Sequence, residues 1–183
     1  GGTTEVAILS LGDIVVSRSI RVAGDEMDEA IVEYMKQHFS LRIGEQTAEQ
    51  LKIRVGSAYP LQQELTTEVS GLDTISGVPR KALVTSEESR DALREPVGAI
   101  LSCIKSAIEN CKPELVADLA DNGLVLAGGG ALLRGLDRLL NEQLGIPVRV
   151  TDDPLRAVAR GTAICLEHLS EWRDSLDTGE GDL

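Results

Sequence analysis

Residues 122–140, NGLVLAGGGALLRGLDRLL, carry the strongest structural signal in this sequence. The apolar run at 124–127 predicts a short buried strand, three consecutive glycines follow it, and residues 131–144 are expected to form a helix. Glycines let the backbone turn sharply, and the start of a helix offers free N–H groups and a positive dipole end to an anion. This glycine turn is therefore a candidate phosphate site, and an ordinary tight turn is the alternative that its pattern leaves open.

A second glycine turn opens the chain, where Gly1, Gly2, Thr3 and Thr4 stand directly before an apolar strand predicted at 6–9. The two threonine hydroxyls could contact a phosphate or an attacking water molecule. No Gly-Lys-Ser/Thr sequence follows either turn, so neither is a P-loop, and the consecutive glycines of the other turn lack the spacing of a dinucleotide fingerprint. Both turns thus remain candidate phosphate contacts that match neither of these loop types.

Glu49 and Lys52 form a third feature, because they stand three residues apart on a predicted helix and therefore share one face. In that arrangement both side chains could reach the same ribose or base. An exposed ion pair, worth only a few tenths of a kcal/mol, is the alternative, and the spacing alone favours it. The sequence contains no metal-ligand cluster and no Ser-His-Asp or Cys-His pattern, so we predict no metal site.

The composition is that of a folded, acidic domain: 42% of the residues are apolar, 26% are charged and the formal net charge is −12. A charge of this sign repels a phosphate backbone, which argues against nucleic-acid binding. The three cysteines have no CxxC spacing, so we expect free thiols and a reducing compartment. The sequence lacks a membrane-spanning apolar run, and its start at Gly1 without a methionine suggests a fragment.

Local signals predict the remaining elements. A hairpin is expected around Gly12, then a helix capped by Asp25, and a second helix opened by a capping box of Thr47 and Gln50. The later helices are expected to begin at a second capping box, Thr85 and Glu88, at Pro113, and at Pro154 with Asp152 and Asp153 as caps. Strands and helices thus alternate in an α/β layer architecture, interrupted by residues 43–94.

Taken together, these pieces resemble the actin superfamily, and within it the bacterial cytoskeletal MreB family, from Gly1 to about Leu169. Four stretches carry the resemblance: GGTTEVAILSLGDIVVSRSIRVAGDEMDEAI at 1–31, IGEQTAEQLKIRVGSAYP at 43–60, REPVGAI at 94–100 and NGLVLAGGGALLRGLDRLL at 122–140. The resemblance implies the second lobe of an actin-like (ribonuclease H-like) ATPase fold. Residues 1–42 and 95–172 would form its core subdomain, 43–94 an inserted small α+β subdomain, and 173–183 an acidic, disordered tail.

The resemblance also implies a site for ATP with Mg²⁺, closed by a first lobe that carries the other phosphate loop and a catalytic carboxylate. Gly1, Gly2, Thr3 and Thr4 resemble the second phosphate loop, in which Thr3 or Thr4 would help to position the attacking water. Glu49 and Lys52 match positions that approach ribose and adenine. The adenosine motif matches Gly128, Gly129, Gly130, Ala131 and Leu132. Because half of the phosphate ligands are absent, this chain alone is expected to bind ATP weakly or not at all and not to hydrolyse it.

For the whole protein, the resemblance implies a bacterial cytoskeletal protein that polymerises into filaments and guides cell-wall synthesis in rod-shaped cells. Its expected partners are further copies of itself and the cell-wall elongation machinery, in the cytoplasm at the inner face of the membrane. Filament contacts are expected partly within residues 43–94. Two alternatives from the same superfamily stay open, namely the nucleotide lobe of a sugar or acetate kinase and that of a heat-shock-type chaperone.

Overall fold

A computed structural model describes residues 1–170 and Trp172 of the 183-residue chain. The acidic tail predicted at 173–183 lies outside the described residues. The strands and α-helices follow in the order β1 (Thr4–Ser10), β2 (Asp13–Ile20), α1 (Gly24–Phe39), β3 (Leu41–Arg42), α2 (Glu45–Val55), β4 (Thr66–Asp73), β5 (Pro79–Thr85), α3 (Ser86–Ala92), α4 (Arg94–Glu109), α5 (Pro113–Asn122), β6 (Leu124–Leu126), α6 (Leu136–Leu144), β7 (Val148–Val150) and α7 (Ala157–Glu167). Strands β1–β2 and β3–β4–β5 form antiparallel sheets, and β6 and β7 pair in parallel.

The predicted hairpin at the start of the chain is confirmed as β1 and β2. Its turn consists of Leu11 and Gly12, which have φ angles of 54° and 92°. Two consecutive residues with positive φ give the tight turn whose twist matches that of the paired strands. Helix α4 packs against both strands and covers the apolar side of the hairpin.

Helix α1 supplies the centre of the core, since Met27, Ile31 and Met35 are each only 1% exposed. The prediction that Asp25 caps this helix is wrong, because the helix already begins at Gly24 and Asp25 lies in its first turn. The Glu26 carboxylate instead accepts a hydrogen bond of 2.8 Å from the Ala23 N–H. This bond lowers the pKa of the Glu26 carboxyl and satisfies a backbone donor at the helix start.

The two predicted capping boxes had different outcomes. Thr85 and Glu88 form theirs: the Glu88 N–H donates to the Thr85 hydroxyl at 3.2 Å, and the Thr85 N–H donates to the Glu88 carboxylate at 2.8 Å. The box of Thr47 and Gln50 is wrong, because α2 begins earlier, after Gly44. The Thr47 N–H is already bonded to the Gly44 carbonyl at 3.0 Å, which places Thr47 inside the first turn.

The turn between β4 and β5 is held by Asp73, a buried carboxylate at the end of β4. One of its oxygens accepts hydrogen bonds from the Ile75 and Ser76 N–H groups at 3.0 and 2.8 Å, and from the Ser76 hydroxyl. The other oxygen is 2.6 Å from Arg80 Nε, and the same guanidinium reaches the Phe39 carbonyl at the end of α1. The bond from the Ser76 N–H, together with Arg80, lowers the pKa of the Asp73 carboxyl to about 2.

Replacing Asp73 with asparagine should destabilise the chain in a pH-dependent manner. A carboxyl whose pKa is lower in the folded state stabilises that state fully above its unfolded pKa, 3.8, and loses this contribution as the pH falls through about 2. In urea unfolding, Asp73→Asn should therefore have a lower midpoint than wild type at pH 7, and the two midpoints should converge between pH 4 and pH 2. A gap that stays constant over this range would contradict the assignment.

The predicted single helix at 131–144 is wrong, because it is divided in two. A 3-10 helix, Gly129–Leu132, follows the glycine turn, and α6 begins only at Leu136. Gly135 separates them with a φ of +73°, which lies outside α-helical geometry. The predicted dipole of a long helix therefore does not point at the glycine turn.

Helix α7 begins at Ala157 rather than at Pro154, and neither Asp152 nor Asp153 occupies its N-cap position, which is Arg156. The Pro154 carbonyl is used elsewhere, since it accepts a hydrogen bond of 2.8 Å from the Gly128 N–H. The large apolar side chains of α7 and of the residues next to it are exposed. Their exposed fractions are Leu155 69%, Val158 73%, Ile164 52%, Leu166 66% and Leu169 50%. Among the described helices, none combines the length and the apolar character that crossing a membrane requires.

Candidate functional site

The last turn of α2, with its C-cap Gly56, is hydrogen-bonded to residues that adjoin the two glycine turns. On one side, the Gly24 N–H donates to the Gly1 carbonyl at 3.0 Å. Lys52 Nζ in turn donates to the Gly24 carbonyl at 2.9 Å. The N-terminal glycine turn, the first residue of α1 and Lys52 of α2 are thus joined by two consecutive hydrogen bonds.

Arg134, which follows the second glycine turn, forms the connection on the other side. Its guanidinium donates to the Ile53 carbonyl at 2.9 Å and to the Gly56 carbonyl at 3.3 Å. The Arg134 carbonyl accepts a further bond of 2.8 Å from the Ala58 N–H. A cationic side chain at the carbonyl end of a helix satisfies unpaired acceptors and is favoured by the helix dipole. The sequence reasoning missed Arg134, because its partner in α2 lies 81 residues away along the chain.

The second glycine turn leaves open space above its backbone. Gly128 has a φ of +85°, which explains a glycine there, and a Cβ added at Gly128 or Gly130 would meet no protein atom within 4 Å. Neither a positive φ nor a neighbouring protein atom accounts for the glycine at 130. Ala131 is buried, whereas Leu132 is 55% exposed. The turn therefore offers bare backbone beside one exposed apolar side chain.

The N-terminal turn lies against the start of α1. Cβ atoms added at Gly1 and Gly2 would each lie 3.0 Å from an Asp25 carboxylate oxygen, which is tighter than ordinary contact. The Thr4 hydroxyl donates to the Val22 carbonyl at 2.8 Å and so helps to hold the strand entry. Thr3 is exposed, and its hydroxyl is the one better placed to meet a ligand.

Glu49 and Lys52 share a helix face as predicted, but they do not form the ion pair that the spacing allows. Among the described residues, the partner of Lys52 is Asp28 of α1, with 2.9 Å between Nζ and Oδ2, while Glu49 is exposed. Burial raises the pKa of the Asp28 carboxyl, and the hydrogen bond and charge of Lys52 oppose that rise. The sequence reasoning missed Asp28, which only its acidic character on an otherwise apolar helix face could have indicated.

Hydrogen bonds connect Gly1 to α2 through Gly24, and Arg134 to the end of α2, while Gly129 and Gly130 are exposed and offer backbone alone. In the described part of the chain, no group of three or more His, Cys, Asp or Glu side chains is arranged to hold a metal ion. What the arrangement offers is backbone N–H groups, a lysine ammonium, an exposed carboxylate and a hydroxyl. Such donors and acceptors suit a phosphorylated sugar with an attached base.

Comparison with known proteins identifies close relatives. The family model for the MreB/Mbl protein matches residues 1–174. The cell shape-determining protein MreB of Escherichia coli strain K12 is 50% identical over 167 residues, which make up 91% of this chain and 48% of that protein. The crystal structure of MreB5 of Spiroplasma citri bound to AMPPNP has a TM-score of 0.90 at 37% identity, covering 95% of this chain and 52% of the other. A cryo-EM structure of the MamK filament gives a TM-score of 0.68 at 25% identity, over 94% and 54% of the two chains.

These matches confirm the predicted fold class, an α/β lobe of the actin-like type. The chain spans about half the length of the curated relatives it matches. The family match also decides among the three members of the superfamily that the sequence left open, in favour of the MreB family. With nearly all of its residues covered by the family model, the chain belongs to the MreB/Mbl protein family.

Proposed function

We propose that this chain forms one side of an adenine-nucleotide site in a filament-forming protein that determines cell shape. One observation supports this above the others: the end of α2 is hydrogen-bonded to Gly24, which in turn binds Gly1, and to Arg134, which follows the second glycine turn. A relative of the same fold, MreB5 of Spiroplasma citri, was crystallised with AMPPNP. The corresponding ligand of this protein would be ATP with Mg²⁺.

Each group of residues has a role in this proposal. The backbone of Gly1 and Gly2, with the Thr3 hydroxyl, would receive the phosphates, because N–H and O–H donors suit anionic oxygens. Glu49 and Lys52 would contact the ribose and the adenine edge. The adenosine would lie over the second turn, formed by Gly128, Gly129, Gly130, Ala131 and Leu132. Mg²⁺, which usually keeps several waters and binds through substrate phosphates, would neutralise phosphate charge and needs no protein cage.

Hydrolysis would need more than this side of the site. Thr3 or Thr4 would help to orient the attacking water, and a second set of phosphate ligands would have to close the site and exclude bulk water. We therefore propose that the 183-residue chain alone binds ATP weakly or not at all and does not hydrolyse it. ATP turnover above background by the purified chain would contradict this.

Replacing Gly130 with alanine tests the proposed adenosine turn. The added methyl group meets no protein atom within 4 Å, so the stability of the fold should change little. In the full-length protein, the same methyl group would occupy space assigned to the nucleotide. We expect the Kd for ADP, measured by isothermal titration calorimetry, to rise about tenfold, which corresponds to ~1.4 kcal/mol.

Gly98→Ala is the matched control for that experiment. A Cβ at this position in α4 also meets no protein atom within 4 Å, and the residue lies far from the turn in sequence. Alanine favours the helix interior over glycine by ~1 kcal/mol, so this variant should be slightly more stable and bind ADP normally. Unchanged ADP binding by Gly130→Ala would remove the second glycine turn from the proposed site.

Self-association and cellular role form the second half of the proposal. The protein would assemble into filaments with bound nucleotide, act on cell shape with the cell-wall elongation machinery, and work in the cytoplasm at the inner face of the membrane. The support comes from relatives, one named as a cell shape-determining protein and one solved as a filament. Nucleotide-dependent pelleting of the full-length protein tests it, because a kinase or chaperone lobe would stay in the supernatant.

A further inference from the structure

Lys52 is held in place from the neighbouring helix by two groups. Its ammonium donates to Asp28 Oδ2 and to the Gly24 carbonyl, each at 2.9 Å, and both acceptors belong to α1. An ammonium has three N–H donors, so these two bonds leave a third direction for another acceptor. The lysine side chain is 17% exposed, which means that its tip is still reachable from outside.

The burial of Asp28 at this position costs free energy. It is 9% exposed on a helix face whose other buried members are apolar, and its second oxygen, Oδ1, is buried with no hydrogen-bond partner in the described structure. A buried carboxylate with an unsatisfied oxygen costs free energy, because the lost hydration is not fully replaced. An apolar residue would pack here without that cost, so the fold alone does not explain the acid.

The charges around Asp28 indicate the role of its carboxylate. Asp25 and Glu49 both act on Asp28 through their negative charges, so the neighbourhood of Lys52 is acidic. A free lysine carries a flexible four-carbon stem and loses considerable rotamer entropy when its ammonium is fixed. The ion pair with Asp28 fixes the lysine ammonium through the protein's own contacts. The Lys52 ammonium also donates to the Gly24 carbonyl. The N–H of Gly24 in turn donates to the carbonyl of Gly1 in the N-terminal glycine turn.

We propose that Asp28 is a positioning residue, which fixes the Lys52 ammonium between α1 and α2 so that its remaining donor meets the ribose or phosphate oxygens of the nucleotide. The inference rests on the proposed function and adds a residue to it. Asp28 itself does not touch the ligand in this arrangement. Its contribution to binding passes entirely through Lys52, and this property separates it from a residue that merely supports the fold.

A double-mutant cycle in the full-length protein tests this property. The Kd for the fluorescent analogue mant-ADP is measured for wild type, Asp28→Asn, Lys52→Met and the double variant, with thermal melting to establish the folded fraction. Each single change should weaken binding about tenfold. The double variant should bind within about twofold of Lys52→Met, because the positioning residue has nothing left to position. A double variant about a hundredfold weaker than wild type would overturn the inference, as would normal binding by Asp28→Asn.

Asp28→Glu covers the case in which Asp28→Asn does not fold. It keeps the charge but moves it by one methylene, so binding should weaken three- to tenfold in the wild-type background and remain unchanged in the Lys52→Met background. A loss of similar size in both backgrounds would overturn the inference. Glu68→Gln, which breaks an exposed pair with Lys81 on the β4–β5 hairpin, is the control and should bind normally. Failure of the wild-type protein to bind mant-ADP would contradict the proposed function itself, and with it the inference.

Discussion

Replacing Gly135 with alanine should lower the free energy of unfolding by about 2–5 kcal/mol. The residue has a φ of +73°, a conformation that costs an ordinary L-residue ~1–2 kcal/mol. In addition, a Cβ at this position would lie 2.6 Å from Tyr59 Cβ and 3.3 Å from the Tyr59 backbone nitrogen. That backbone cannot easily retreat, because the neighbouring Ala58 N–H is bonded to the Arg134 carbonyl. Overpacking of this kind typically costs a further 1–3 kcal/mol. Urea unfolding at neutral pH measures the sum.

Gly145→Ala separates the two contributions. This glycine ends α6 with a φ of +68°, close to that of Gly135, but a Cβ there would meet no protein atom within 4 Å. We expect a loss of ~1 kcal/mol, due to backbone strain alone. If both variants lost the same stability, the close approach of Gly135 to Tyr59 would contribute nothing.

Replacing Ile75 with aspartate should raise the critical concentration for filament assembly of the full-length protein by at least tenfold. Ile75 is 85% exposed and Val78 is 54% exposed, at the turn between β4 and β5 within the segment proposed to make filament contacts. Burying an isoleucine side chain in a contact contributes about 1.5–3 kcal/mol, and a buried unpaired carboxylate would oppose the contact further. Every 1.4 kcal/mol changes the concentration tenfold. Sedimentation across a protein concentration series measures the effect.

Leu83→Asp is the control for this position. Leu83 is 63% exposed and lies on β5 of the same sheet, away from the turn. It should leave the critical concentration unchanged, because we predict the contact at Ile75 and Val78, at the tip of the hairpin. The prediction would be wrong if Leu83→Asp blocked assembly while Ile75→Asp did not, since the sheet face would then be the contact.

Sequence signals that act within a few residues predicted the structure well. Leu11 and Gly12 form the turn of the expected hairpin, and the Thr85–Glu88 capping box begins α3 as predicted. These predictions were correct because the interacting residues lie within three positions of each other in the sequence. Two local predictions failed because a neighbouring residue occupies the predicted role. Glu26 rather than Asp25 accepts the backbone hydrogen bond at the start of α1, and Gly44 rather than Thr47 precedes the first turn of α2.

The candidate site could be predicted only in part. The two glycine turns, Glu49 and Lys52 were found from motif and resemblance, and their assignment to a nucleotide stays a proposal. Asp28 and Arg134 were not found, since they act on α2 from 24 and 81 residues away. No spacing rule connects residues at such separations, because they become neighbours only when the helices pack.

The sequence by itself determined the family, the α/β fold class and the order of the elements, because periodicity, glycine turns and family motifs are written in consecutive residues. Only the tertiary structure decided which of these features meet. It turned Lys52 toward Asp28 instead of Glu49, divided the helix after the glycine turn at Gly135, and left Val158, Ile164 and Leu166 of α7 exposed. The physical reason is the same in each case: burial and hydrogen-bond partners depend on packing between distant segments, which local sequence does not specify.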